Sequence, residues 1–212
     1  PNASNLIWSS SETTLPNDKS KDEFDKNPVL DRFKHQLKTS GVKIQHTMFP
    51  DFKWACSNIE NIKKKFDLNK YIVLFPFCSP HLIIKKWPYY NELIELIKKK
   101  FEDEYKIVVA PGPKEIEMTK EINAITILNQ NNSLNIQELS SLIKDSTFVI
   151  SNDTGPAHMT SHLGVKGVAL FGSHTSAYKV SIERENFKAI QVTDLSKLSP
   201  GKVFEYFLQS LN

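Results

Sequence analysis

Several features are scarce in this 212-residue chain, and each scarcity narrows its reading. No run of eighteen or more apolar residues occurs, so no stretch reads as a membrane-spanning helix. No signal-peptide pattern is visible either. There are two cysteines, Cys56 and Cys78, too few for a disulfide scaffold. Reduced thiols in a cytosolic protein are the default for such usage. The formal net charge is only +3, which is too small to argue for nucleic acid or a membrane surface as partner. The lysine runs 63–65 and 98–100 read as solvated helix ends, where cations complement the helix dipole. The P-loop and the G-x-G-x-x-G fingerprint are both missing. So is the G-x-S-x-G elbow, which sets aside a serine-hydrolase reading of Ser151, Ser173, Asp153, His158 and His174. No internal repeat or low-complexity linker is present.

What remains is ordinary for a soluble globular protein, with 40% hydrophobic and 24% charged residues. Sequons at Asn2, Asn132 and Asn152 carry no meaning in a cytosolic setting. The chain opens on Pro1, so it reads as a fragment or a processed chain.

Residues 1–26 are polar, and only Leu6-Ile7-Trp8 offers a short strand. Helical spacing of Val29, Leu30, Phe33 and Leu37 predicts a helix over residues 28–40. A short strand is expected at 42–47, and Phe49, Phe52 and Trp54 are expected to cover a core edge. Ser57 is expected to cap a helix running to Phe66. From Tyr71 onward strands alternate with helices. Strands are expected at 71–75, 105–110, 124–128, 148–150, 168–171 and 189–192. Between them come a helix over 88–100 begun by Pro88, a turn at 111–113 and a helix to Ile122. A helix with an Asn135–Glu138 capping box follows, with Ile136, Leu139, Leu142 and Ile143 inward. Ser199-Pro200 opens a last helix. This order predicts an α/β fold: a Rossmann-like parallel sheet with helices on both faces. The division between an N-terminal segment, 1–70, and the sheet domain, 71–212, falls near Lys70.

The chain is organised around residues 148–171, FVISNDTGPAHMTSHLGVKGVALF. A buried strand leads into Asn152, Asp153 and Thr154, which offer helix N-cap side chains. Gly155 lets the backbone approach a ligand or adopt positive φ, and Pro156 suits the first helical position. Gly164 stops the helix. Free amides at such a helix start favour an anion, most often phosphate. An ordinary well-capped βαβ unit has the same pattern, so both readings stand on these residues alone.

Ligands in open α/β sheets bind beyond the carboxyl ends of the strands. That rule nominates residues 77–86, 111–117, 151–158 and 172–179. Lys85 can neutralise a diphosphate, or be a solvated surface lysine. Ser79 can bond a phosphate, or its own turn. Glu115 can accept from ribose hydroxyls, or stabilise a helix start. His158 and His162 share a helix face at metal-ligand spacing, but no third ligand accompanies them and no metal is expected.

Together these residues resemble the lipopolysaccharide heptosyltransferase family of glycosyltransferases, family nine. The likeness rests on Ser151-Asn152-Asp153-Thr154-Gly155-Pro156-Ala157-His158 with Leu163-Gly164 and Ala169-Leu170-Phe171-Gly172. It extends to Lys85-Lys86-Trp87-Pro88 and Pro111-Gly112-Pro113-Lys114-Glu115, in family order. It covers residues 71–179 well and the helix at 28–40 more weakly. The resemblance implies the GT-B architecture, with this chain as its C-terminal, donor-binding half. It implies inverting transfer of a sugar, heptose, from an ADP-linked donor to a lipopolysaccharide or other glycan acceptor, with no cofactor and no bridging metal. By the same resemblance Lys85 balances leaving-group charge, and Ser79 sits near the phosphates. Glu115 holds the ribose, and Asp153, Thr154, Gly155 and His158 form the diphosphate end. The catalytic carboxylate base belongs to the acceptor domain, and none is nominated in residues 1–70. That domain is also where peripheral membrane association would arise, on the cytoplasmic face of the bacterial inner membrane. Phe77-Cys78-Ser79-Pro80 departs from the Gly- or Thr-rich turn of relatives, two extra residues precede Lys85, and the chain is about half the length of a two-domain enzyme. The competing reading is a non-catalytic nucleotide-binding module without an acceptor domain, or a remnant without a ligand.

Overall fold

The computed structural model describes residues 14–211. The Leu6–Trp8 strand lies outside them. The chain packs as two units. One holds the described residues up to Asp51 together with Ala177–Ser181; the other holds Phe52–Ser176 and Ile182 onward. Residues 52–70, expected with the N-terminal segment, pack with the sheet.

The smaller unit contains helices α1 (Lys21–Phe24) and α2 (Val29–Thr39). Ser20 and Glu23 form a capping box on α1. The Val29 amide donates to the Lys179 carbonyl at 2.9 Å, which ties α2 to the short segment 177–181. Leu30 and Phe24 are buried, and the Phe24 ring meets the edge of His35 at 5.3 Å. The strand expected at 42–47 is a turn and loose coil instead. No sheet partner for it exists among the described residues, and an unpaired strand leaves its backbone groups unmet. Phe49 is also exposed, against expectation.

The larger unit begins with α3 (Glu60–Phe66). Its N-cap is Ile59 and not the expected Ser57. Ser57 is occupied elsewhere: its amide donates to Ser141 Oγ at 2.8 Å, and its carbonyl accepts from the same hydroxyl at 2.6 Å. Trp54, expected to cover a core edge, is 79% exposed.

Then come β1 (Tyr71–Phe75), a 3-10 turn at Pro80–Lys85, α4 (Tyr90–Phe101), β2 (Lys106–Val109), a 3-10 turn at Glu117–Glu121 and β3 (Ile125–Thr126). They are followed by α5 (Ile136–Lys144), β4 (Phe148–Asn152), α6 (Gly155–Leu163), β5 (Gly167–Phe171), β6 (Phe187–Gln191) and α7 (Pro200–Leu211). The expected helix before Ile122 is only that short turn; Pro111 and Pro113 withhold amides, and no apolar stripe supports a longer helix. Ile136 is exposed, since it opens α5 at the rim.

All six strands are parallel, in the order β3-β2-β1-β4-β5-β6. This is the doubly wound arrangement, and strand order reverses between β1 and β4. Side chains alternate across β1. Ile72 and Leu74 pack with Leu93, Ile97 and Phe207 from α4 and α7. Tyr71, Val73 and Phe75 pack with Ile62, Leu142 and Leu163 from α3, α5 and α6. Gly167 opens β5 where a Cβ would stand 2.6 Å from the Val149 carbonyl and 2.9 Å from the Phe187 ring. Only glycine fits that approach. Among the described residues no helix is long and apolar enough to cross a membrane.

Candidate functional site

At the point where strand order reverses, the carboxyl ends of β1, β2 and β4 surround a cavity of about 250 Å³. Phe75, Phe77 and Ser79 come from the end of β1, Gly112 and Glu115 from the turn after β2, and Thr154 and Pro156 from the start of α6. Ser79, Glu115 and Thr154, nominated separately from the sequence, are therefore neighbours around one space. Glu115 is held in place: Oε2 accepts from the Gly112 amide at 2.8 Å, and the Glu115 amide donates to the Gly112 carbonyl at 2.9 Å. One carboxylate oxygen retains acceptor capacity beyond that bond.

The helix that faces the cavity starts without a side-chain cap. Thr154 is its N-cap, and the Thr154 hydroxyl bonds backward to the Asn152 carbonyl at 3.3 Å. The expected capping by Asn152 or Asp153 does not occur, because both side chains are engaged elsewhere. The first amides of a helix have no partner inside it. Gly155 is exposed, and nothing lies within 4 Å of where its Cβ would be. It does not take positive φ, so of its two expected uses only close approach of a ligand remains open. Gly164 does end the helix in the left-handed region, at φ 72°.

Lys85, Asp153 and His158 do not line the cavity. They form a cluster of their own at the same turn. The Lys85 ammonium lies 2.7 Å from Asp153 Oδ2 and 3.3 Å from the Asp153 carbonyl. Asp153 is almost wholly buried, with its side chain 4% exposed. His174 Nε2 is 2.9 Å from the same Oδ2, and His158 Nε2 is 3.9 Å from Oδ1. Burial lowers the pKa of His158; Asp153 opposes that shift, while Lys85 and Arg184 add to it. His162, one turn along, is pushed down to about 4 by burial, with Arg184 and His158 adding to the effect. Among the described residues no three-ligand cluster able to hold a metal ion is present.

Two positions matter more than the sequence suggested. Asn152, a cap candidate, is buried between the two motifs. Its Nδ2 donates to the Pro76 carbonyl at 2.8 Å, and its Oδ1 accepts from the Trp87 amide at 3.3 Å and lies 3.1 Å from the Tyr90 hydroxyl. Trp87 is fully buried, and its indole N–H donates to the Leu198 carbonyl at 2.9 Å. The Trp-Pro element is thus a brace that fixes the Lys85 loop against the start of α6. His174 is the other: it lies in the loop 172–179 that the strand-end rule nominates, but nothing in the sequence singles it out within that loop. The segment is irregular, so no periodicity separates His174 from its neighbours there.

A six-stranded parallel sheet with this strand order and helices on both faces is the α/β fold of the GT-B heptosyltransferase structures. The chain belongs to glycosyltransferase family 9 (heptosyltransferase), whose family profile matches residues 7–194. It is 32% identical over 101 residues to lipopolysaccharide heptosyltransferase 1 of Campylobacter coli, covering 43% of this chain and 29% of that protein. Solved structures that share its fold include the following two. E. coli heptosyltransferase WaaC, solved with ADP, has a TM-score of 0.63 and 18% identity over 92% of this chain and 58% of that one. A family 9 glycosyl transferase from Veillonella parvula DSM 2008 has a TM-score of 0.66 and 18% identity over 87% of this chain and 60% of that one. The match thus spans under two thirds of each of these relatives.

Proposed function

We propose that the sheet unit binds the nucleoside-diphosphate part of a sugar donor, and that the whole protein transfers that sugar with inversion to a lipopolysaccharide or other glycan acceptor. The donor proposed is ADP-linked heptose. WaaC was solved with ADP and with ADP-2-deoxy-2-fluoro heptose, which supports the choice. The observation that carries the reading is the meeting of Ser79, Glu115 and Thr154 around one cavity at the strand reversal.

In this reading each group has a physical task. The free oxygen capacity of Glu115 accepts from ribose hydroxyls. The α6 start receives the diphosphate through backbone amides and the helix dipole. The Lys85 ammonium carries three donors and directs two contacts at Asp153, so a third is left for a phosphate oxygen. When the bond to the sugar breaks, negative charge grows on the diphosphate, and donors already in place stabilise it without reorganisation. The base that activates the acceptor is assigned to the acceptor domain, and no residue of this chain is nominated for it. With an ADP-sugar donor the enzyme would act on the cytoplasmic side, and association with the inner face of the inner membrane would come through the acceptor domain.

The test is an amide NMR titration with ADP. Shifts concentrated at Gly112, Glu115, Thr154 and Gly155 support the site. Shifts confined to the opposite, amino-terminal edge of the sheet contradict it.

A further inference from the structure

We infer that His174 is a positioning residue for the diphosphate corner: it holds the Asp153 carboxylate so that Lys85 keeps a donor for phosphate. This rests on the donor-site reading above and extends it to a residue outside the motifs that carry the family likeness.

Asp153 is a buried carboxylate, and a buried charge must be paired and hydrogen-bonded to be tolerated. Two groups meet its Oδ2: the Lys85 ammonium at 2.7 Å and His174 Nε2 at 2.9 Å. His158 is the other titratable group facing this carboxylate. It stands 3.9 Å from Oδ1, beyond hydrogen-bond reach, and its burial favours the neutral ring. His174 is therefore the second donor. With it in place, the carboxylate's demand is divided between two donors. Without it, Oδ2 depends on Lys85 alone, and the ammonium is drawn fully into neutralising Asp153.

The ring of His174 is fixed for this task. It stacks on Phe171, with centroids 6.0 Å apart and planes 10° from parallel, and its side chain is 9% exposed. Nδ1 is buried without a hydrogen-bond partner. A buried N–H left unmet costs more than an unmet lone pair in this setting, so the proton belongs on Nε2, facing Asp153.

The experiment compares ADP and adenosine binding by calorimetry in the wild-type chain, His174→Phe and His174→Gln. Phenylalanine keeps the stack on Phe171 and removes the donor; glutamine restores an N–H at similar reach. His174→Phe is expected to weaken ADP about tenfold, as loss of a hydrogen bond to a charged group predicts, with adenosine unchanged. His174→Gln is expected to recover most of that loss. Long-range proton–nitrogen NMR of the wild-type imidazole is expected to show the Nε2–H form. An Nδ1–H ring overturns the inference. So does equal weakening of ADP and adenosine, or a glutamine variant no better than phenylalanine. A wild-type chain that takes up no ADP at millimolar concentration removes the donor-site reading and this one together. A wild-type chain that binds ADP while His174→Phe binds it equally well removes only this one.

Discussion

The Asn152 side-chain carbonyl accepts from the Trp87 amide at 3.3 Å, joining the two sequence motifs of this protein inside its core. Neither motif is held by its own loop. The Trp87 indole anchors one to Leu198, and β4 anchors the other. Asn152→Ala leaves the Trp87 amide and the Pro76 carbonyl buried and unmet. It is expected to cost on the order of 2–3 kcal/mol, measured by urea unfolding. A loss under about 0.5 kcal/mol, as at an ordinary surface site, would contradict the brace.

Lys85 has two tasks that can be separated. Lys85→Met strands the Asp153 carboxylate in the core, and breaking a buried pair this way costs about 3 kcal/mol or more. Adding Asp153→Asn removes the stranded charge and is expected to return most of that stability. ADP affinity is expected to stay low in the double variant, because the ammonium is still missing. Recovery of both properties together would remove Lys85 from the phosphate site.

Gly155→Val tests close approach to α6. The added side chain meets nothing within 4 Å at its Cβ and the backbone is not in the left-handed region, so the fold is expected to melt within a few degrees of the wild type. ADP binding is expected to be lost, since the side chain stands where the diphosphate would meet the helix amides. Unchanged affinity in the calorimeter would move the phosphates away from this turn.

The sheet and its order of elements could be read from the sequence because its central strands are short apolar runs between turn residues. Tyr71–Phe75 and Gly167–Phe171 are buried at every position. The capping box at Asn135 and Glu138 could be read for the same local reason. The failures were tertiary. Ser57 is drawn from its expected cap by Ser141, 84 residues away. Asn152 looks like a cap and is a core hydrogen-bonding hub, which no local pattern reveals. Lys85 stands out by its motif, but the motif does not reveal that Asp153, itself nominated for the phosphates, is the lysine's counter-ion. His174 sits in coil, where spacing carries no information.

Stability should also depend on acid in a direction fixed by His162. Its folded pKa, about 4, lies below the ordinary 6.5, so the unfolded chain binds more protons between those values. Its share of stability is complete above pH 6.5, falls as pH drops through the window, and levels off below 4. His158 is shifted the same way. Thermal melts of His162→Leu across pH 4–7 are expected to show a shallower decline than the wild type. An equally steep decline would assign the acid sensitivity to other groups.

A diphosphate, and not merely a nucleoside, is proposed to be held where α6 begins. Calorimetric titration of the unmodified chain with ADP and with adenosine at low salt tests it most directly. ADP is expected to bind at least about tenfold more tightly, with the advantage shrinking as salt is raised. Equal affinity for the two, or no heat with ADP at millimolar concentration, would contradict it.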